Sequence, residues 1–355
     1  MNDWRYPTLL ADIGGTKVRF AVAAAEHAPP TLVKVVRTAE HRSLTEAAQA
    51  YLALVKGEFA DGSKDRKSSK GSFTTPVSAA FAVATPVAGA DRGPLRLTNT
   101  HFIIDAADLL TSLRLEALWI VNDFEALAWS LPTLAPTEVA VIGATAPSLR
   151  ATMAVIGPGT GLGCAGLLRN SSGWHAVAGE GGHVTLAGRT GFEREVLAAA
   201  AEQLDHVSAE RLLSGIGMPL LYRAVATVRG HAAAAMPLPS PEEITSGAVS
   251  GSDPLSAEVI GTFCALLGGY AGNIALTFGA TGGVLIGGGI AAHLGSMLGE
   301  GTFRSRFEDK GRFASYLAAI GTGRILREQP ALDGLVYALG NSLGSLPVQR
   351  PTPAE

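Results

Sequence analysis

The sequence predicts an α/β protein of two domains, each with a mixed sheet, flanking a central cleft. Its 355 residues exceed what one ordinary core organises. A hydrophobic content of 47% against 17% charged residues supplies a large core and excludes disorder. One order of signals also occurs twice: a hairpin with a glycine turn, a third strand, then helix and strand in alternation.

The first series opens at Thr8–Asp12, an apolar run that reads as a buried strand. Gly14-Gly15-Thr16 follows as a tight turn, and Val18–Ala24 as the returning strand. Thr31–Arg37 is the third strand. From Ser43 to Phe59 the apolar residues Leu44, Ala47, Ala48, Tyr51, Leu52 and Val55 recur at helical spacing, with Ser43 or Thr45 as the cap. Gly57–Thr75 then turns polar and charged and reads as a solvated surface loop outside any active site. Val77–Val87 and Ala117–Val121 are apolar strands, the second feeding Asn122-Asp123 and a helix over Phe124–Ser130.

The second series starts with a strand at Thr152–Ile156, the turn Gly157-Pro158-Gly159-Thr160-Gly161, and a return strand through Leu168. A turn at Asn170–Gly173 leads to a strand from Trp174. Helix starts are legible afterwards. Thr190 with Glu193 has capping-box spacing, Ser240-Pro241-Glu242-Glu243 adds a first-turn proline to such a box, and Asp253-Pro254 opens an apolar helix ending near Phe278. The expected division is a small domain of residues 1–133 with 331–355 and a large one of 134–330.

Composition removes several classes of function. A formal net charge of −3 provides no basic field for a nucleic-acid backbone. Cys164 and Cys264 stand alone in apolar surroundings, so neither a disulfide framework nor a cysteine-rich zinc site can be built, and a reducing cytoplasm is expected. The polar start Met1-Asn2-Asp3-Trp4-Arg5 lacks the pattern of an export signal. Val259–Ala292 is uncharged and long enough to cross a bilayer, but Gly282-Gly283 and Gly287-Gly288-Gly289 divide it into helix, short strand and turn, so no membrane span is expected.

Four motifs carry chemistry. In Asp12-Ile13-Gly14-Gly15-Thr16-Lys17-Val18-Arg19 an acid ends a strand, and two glycines let backbone amides approach an anion, with a hydroxyl and a cation in reach. A plain hairpin turn is the competing reading. Gly157–Gly163 repeats the device in the second series, so that two glycine hairpins could clamp one triphosphate. Gly161–Gly166 fits GxGxxG, but a strand follows where a dinucleotide fold needs a helix, and no GxxxxGK[ST] stretch occurs. Asn122-Asp123 sits between strand and helix, which makes Asp123 either a general base or a helix cap. Glu180-Gly181-Gly182-His183 sets an acid and an imidazole around two glycines, too few ligands for a closed zinc site but able to converge on a small polar molecule. Gly287-Gly288-Gly289 offers a further close backbone approach, for a nucleotide or for helix packing.

In order along the chain, Leu10–Thr16, Leu97-Thr98-Asn99, Val121–Phe124, Gly157–Gly163, Gly179–His183, Ala209–Gly215 and Phe307–Phe313 resemble the bacterial glucokinase family, within the actin-like ATPase and hexokinase group. The resemblance spans nearly the whole chain. It implies two hexokinase-type α/β domains and phosphorylation of D-glucose at its 6-hydroxyl by ATP, giving glucose 6-phosphate and ADP for glycolysis. Asp123 would take the hydroxyl proton, while Asn99, Asn122, Glu180, His183 and Glu210 would hold the sugar. Gly14, Gly15, Thr16, Lys17, Gly159 and Thr160 would hold phosphate, Gly287 and Gly288 would lie near the nucleoside, and Asp12 would face Mg²⁺ through water. A homodimer is implied as well. Gly57–Thr75 is longer than the family needs. The alternatives are a kinase for another hexose or an amino sugar, and a sugar-sensing regulator. For the regulator, the segment before the strand at Thr8 is too short for a helix-turn-helix.

Overall fold

The computed structural model describes residues 4–62, 73–87, 93–97, 100–231, 237–342 and 347–351. Asn99 and most of the expected surface loop therefore lie outside the described residues. The chain divides into two compact units, Met1–Thr133 with Ser172–Trp174 and Gln329–Glu355, and Leu134–Ser171 with His175–Glu328.

The first unit is built on strands β1 (Thr8–Ile13), β2 (Lys17–Ala23), β3 (Thr31–Arg37), β4 (Ser78–Val83) and β7 (Ala117–Asn122), in the order β3-β2-β1-β4-β7. Two-residue strands β5 (Leu95–Arg96) and β6 (Ile103–Ile104) pair separately. The β1–β2–β3 meander is antiparallel, whereas β1–β4 and β4–β7 run parallel. Central β4 is buried at every position, as a strand covered on both faces should be. It stops at Val83, short of the expected Val87: the Thr85 amide turns back onto the Val83 carbonyl at 2.9 Å, and Pro86 then has no amide with which to resume a ladder.

Helix α1 spans Leu44–Gly62. Ser43 caps it by accepting the Glu46 amide at 3.1 Å, and Leu44, Ala47, Ala48, Tyr51 and Val55 enter the core. Three residues beyond the expected end remain helical, where Phe59 packs on Phe73 with ring centroids 5.7 Å apart. The polar stretch beginning at Gly57 is thus helical through Gly62, a correction to the expected loop. Helices α2 (Ala106–Ser112) and α3 (Asp123–Ser130) follow. The C-terminal helix Pro330–Ser342 returns to pack on α3.

The second unit repeats the arrangement. Strands β8 (Val139–Ile142), β9 (Met153–Pro158), β10 (Leu162–Asn170), β11 (Gly173–Gly179), β12 (Gly283–Ile286) and β13 (Thr322–Ile325) are ordered β11-β10-β9-β12-β13-β8. β9 and β10 form an antiparallel hairpin, while β9–β12 and β12–β13 are parallel. Strand β8 is added antiparallel to β13. Helices α4 (Gly191–Ala201), α5 (Met218–Val228), α6 (Pro241–Ser250) and α7 (Pro254–Phe278) build most of the core. The expected caps form: Thr190 and Glu193 exchange bonds on α4, Ser240 and Glu243 on α6, and Asp253 accepts the Leu255 amide on α7.

By length and composition α7 could cross a membrane, yet 72% of its apolar window is buried inside the protein. It is the core helix of this unit. Two residues near the Phe307–Phe313 motif brace it and its neighbour: Lys310 Nζ donates to the Gly269 carbonyl at 2.8 Å, and Arg306 pairs with buried Glu193 through Nη2 at 2.8 Å. That part of the sequence pattern is architectural.

Candidate active site

In the first unit, the parallel strands end level with one another. Ile13 is in register with Val83, and Val83 with Asn122. Neighbouring strands lie about 4.8 Å apart, so the ends of β1 and β7 stand about 10 Å apart on one edge of the sheet. That edge, at the C-terminal ends of parallel strands, is where open α/β sheets present their ligand-contacting groups.

Asp12 lies one residue before the end of β1. Its cross-strand partner is Arg19, whose Nη1 donates to Asp12 Oδ2 at 2.9 Å. Burial pushes the Asp12 carboxyl above its ordinary value, and the charge and hydrogen bond of Arg19 oppose that push. The sequence motif contained Arg19 without a role for it, since only strand pairing sets positions 12 and 19 face to face. After Asp12 the turn is closed by the Gly14 amide on the Lys17 carbonyl at 3.0 Å. Thr38 holds it from outside, donating its amide to the Thr16 carbonyl and its hydroxyl to the Gly15 carbonyl at 3.0 and 2.9 Å. Thr16 and Lys17 are exposed.

At the end of β7, Asn122 is the cap of α3. Its Oδ1 accepts the Phe124 and Glu125 amides at 2.9 and 3.3 Å, and its Nδ2 donates to the Thr85 carbonyl at 3.3 Å. Asp123 is the first residue of the helix, with Oδ1 2.9 Å from the Phe124 amide nitrogen. Glu125 was not singled out from the sequence. Burial pushes its carboxyl up to about 7, against a smaller opposing contribution from the Trp129 side chain.

In the second unit, Glu180, His183 and Glu210 come together. His183 Nε2 is 3.9 Å from Glu180 Oε2, and its Nδ1 is 3.9 Å from Glu210 Oε1. Both distances exceed a hydrogen bond, so these side chains gather without spending their hydrogen-bonding capacity on one another. The turn carrying Glu180 and His183 lies directly on the start of β10, where a Cβ at Gly182 would collide with the Leu162 carbonyl oxygen. Only glycine permits that approach. Glu210 reaches the same place from the segment before α5. Its amide donates to the Gly182 carbonyl and its Oε2 accepts the Leu162 amide, both at 2.8 Å.

The second glycine turn adjoins this cluster. Gly159 donates to the Gly161 carbonyl at 2.8 Å, and the amides of Gly215 and Ile216 donate to the carbonyls of Gly159 and Thr160 at 2.8 and 3.4 Å. Gly287 donates to the Ile156 carbonyl at 2.9 Å, and Gly288 backs onto the Pro158 carbonyl. The predicted residues Gly159, Thr160, Gly287 and Gly288 thus sit at one edge of the sheet, after β9 and β12.

The glucokinase family model matches residues 9–342. The chain belongs to the glucokinase family. A glucokinase of Aromatoleum aromaticum is 44% identical over 338 residues, covering 95% of this chain and 96% of that protein. A glucokinase of Chromobacterium violaceum is 39% identical over 353 residues, covering 98% and 94%. Among solved structures, a glucokinase from an Antarctic psychrotroph superposes with a TM-score of 0.80 at 31% identity, over 96% of this chain and all of that one. The family makes this chain a kinase that phosphorylates glucose with ATP.

Among the described residues, no three His, Cys, Asp or Glu side chains gather as a metal cage. The half-buried Asp12 carboxylate is one oxygen donor, of the kind a magnesium ion takes while keeping water and phosphate for its other positions.

Proposed function

We propose that Asp123 is the general base for transfer of the γ-phosphoryl group of ATP to the 6-hydroxyl of D-glucose. As the sugar oxygen attacks phosphorus, its proton passes to the Asp123 carboxylate, and the bond from phosphorus to the bridging oxygen of ADP breaks. Such a transfer needs positioning and charge neutralisation more than covalent help. Glu180, His183 and Glu210 hold the other sugar hydroxyls. Asn122 joins them with the second hydrogen of its amide, its first being spent on Thr85.

The Gly14–Lys17 and Gly159–Thr160 turns hold the phosphates through backbone amides other than those of Gly14 and Gly159, which close the turns, assisted by the Thr16 hydroxyl and the Lys17 ammonium. Gly287 and Gly288 lie near the nucleoside. Mg²⁺, held by Asp12 through water, supplies charge neutralisation to the phosphates when bound. Asn99 is assigned to the sugar on the sequence motif alone. The same family resemblance assigns a homodimer and a cytoplasmic location, the first testable by light scattering on the purified chain.

The observation that carries this reading is the gathering of Glu180 and Glu210 on either side of His183 at 3.9 Å each. A structural ATPase or a bare phosphate clamp has no use for that cluster. The test is a coupled ADP-release assay with glucose, mannose, fructose, glucosamine and N-acetylmannosamine. Glucose-dependent ADP release is expected, with glucose preferred. A stronger preference for another sugar would overturn the substrate assignment, and no sugar-dependent release would overturn the kinase reading.

A further inference from the structure

Glu210 divides its carboxylate between two tasks. One oxygen, Oε1, faces His183 in the sugar cluster, while the other, Oε2, accepts the Leu162 amide at 2.8 Å. Leu162 is the first residue of β10, directly after the Gly159–Gly161 turn. A Cβ at Gly161 would collide with that same carboxylate oxygen, so the turn is moulded against Glu210 rather than merely near it.

The segment that carries Glu210 is fastened to both turns. On one side Ala209 and Glu210 donate to the carbonyls of Val184 and Gly182 at 2.9 and 2.8 Å. On the other, Gly215 and Ile216 donate to those of Gly159 and Thr160. Residues 209–216 therefore form a strap across the second unit. Glu210 is the one side chain of that strap that bonds to the phosphate turn's exit, and its side chain is only 31% exposed. A charge-assisted bond of this kind to a backbone amide is among the stronger ones available.

We propose that Glu210 is a positioning residue for nucleotide phosphate: by fixing the Leu162 amide it sets the shape of the Gly159–Gly161 turn, so that ATP affinity depends on it even without sugar. This rests on the assignment of that turn to phosphate made above. It adds to Glu210 a role that sugar contact alone does not require. By taking the Leu162 amide, the carboxylate also keeps that donor out of phosphate binding and leaves the task to the turn itself.

Two conservative variants separate reach from charge. Glu210→Gln keeps the length and an acceptor oxygen for the Leu162 amide but loses the charge. Glu210→Asp keeps the charge but is one methylene too short. Binding of Mg²⁺·AMPPNP to the full chain is measured by calorimetry without sugar, glucose binding is measured separately, and melting temperature is recorded for each variant. Glu210→Gln is expected to bind AMPPNP within about threefold of wild type, and Glu210→Asp about tenfold more weakly, the scale of one hydrogen bond to a charged group. Glucose binding weakens in both. Equal AMPPNP affinity in wild type and Glu210→Asp overturns the proposal, as does a Gln variant that loses nucleotide binding like the Asp variant. A wild type that binds glucose but no AMPPNP overturns the phosphate assignment of the turn and this inference with it.

Discussion

Asn122 Oδ1 accepts the Glu125 amide at 3.3 Å besides the Phe124 amide at 2.9 Å that Asp123 Oδ1 shares, which makes Asn122 the cap of α3 and leaves Asp123 as the first residue inside the helix. The sequence left two readings of Asp123 open, cap or base, and this relationship makes them separable by mutation. Asp123→Ala should lower kcat by about 10²–10⁴-fold, the usual scale for positioned acid–base help, with little loss of melting temperature. Asn122→Ala should cost about 0.5–2 kcal/mol of stability, the scale of a lost cap. An active but destabilised Asp123→Ala would reverse the assignment.

The His183 imidazole stands between two carboxylates, and a site that hydrogen-bonds hydroxyls rejects sugars that present them differently. His183→Ala should raise the KM for glucose and narrow the preference for glucose over mannose. Steady-state kinetics on both sugars checks this, and an unaltered KM and preference would remove His183 from the sugar site.

Glu125 yields a pH prediction. Its carboxyl is raised from 4.5 to about 7 by burial, so between those values the folded chain holds a proton that the unfolded chain has released. Stability therefore falls as pH rises through that window, by at most about 3 kcal/mol. Glu125→Gln removes the titration. Its melting temperature should exceed that of wild type at pH 8 and match it near pH 4. Parallel pH dependence in the two proteins would sink the prediction.

The C-terminal helix packs so closely on α3 that a Cβ at Gly334 would collide with the Ala126 carbonyl. Gly334→Ala should force the two helices apart and cost about 1–3 kcal/mol, as overpacking does. Because α3 carries Asp123, kcat should fall as well. A variant with wild-type melting temperature and kcat would show that the helices have slack.

Much of the candidate site was legible because its signals are local. Glycine runs at strand ends announced the two turns, the first of them beside Asp12, and Glu180 and His183 were separated only by the glycines that fold them back. Glu210 came from the family pattern, since nothing local links it to residues thirty positions away. Arg19 and Glu125 escaped because their roles depend on strand register and burial. The four-residue strands β8 and β13 were missed for a related reason: runs such as Val139–Ile142 become strands only by pairing with a distant partner. The helical stretch past Gly57 likewise includes a contact that composition does not report, Phe59 against Phe73.

The return of residues 330–342 onto α3 also orders events during synthesis. The second unit is nearly continuous in the chain, from Leu134 to Glu328, so the ribosome delivers all of its residues before the last helix of the first unit, Pro330–Ser342, exists. Domains fold as units while translation proceeds. The first unit, begun earlier, must wait with the face of α3 uncovered until the final stretch emerges. The packing around the helix that bears the proposed base is therefore completed last, and the larger unit has the opportunity to fold before the smaller one can close.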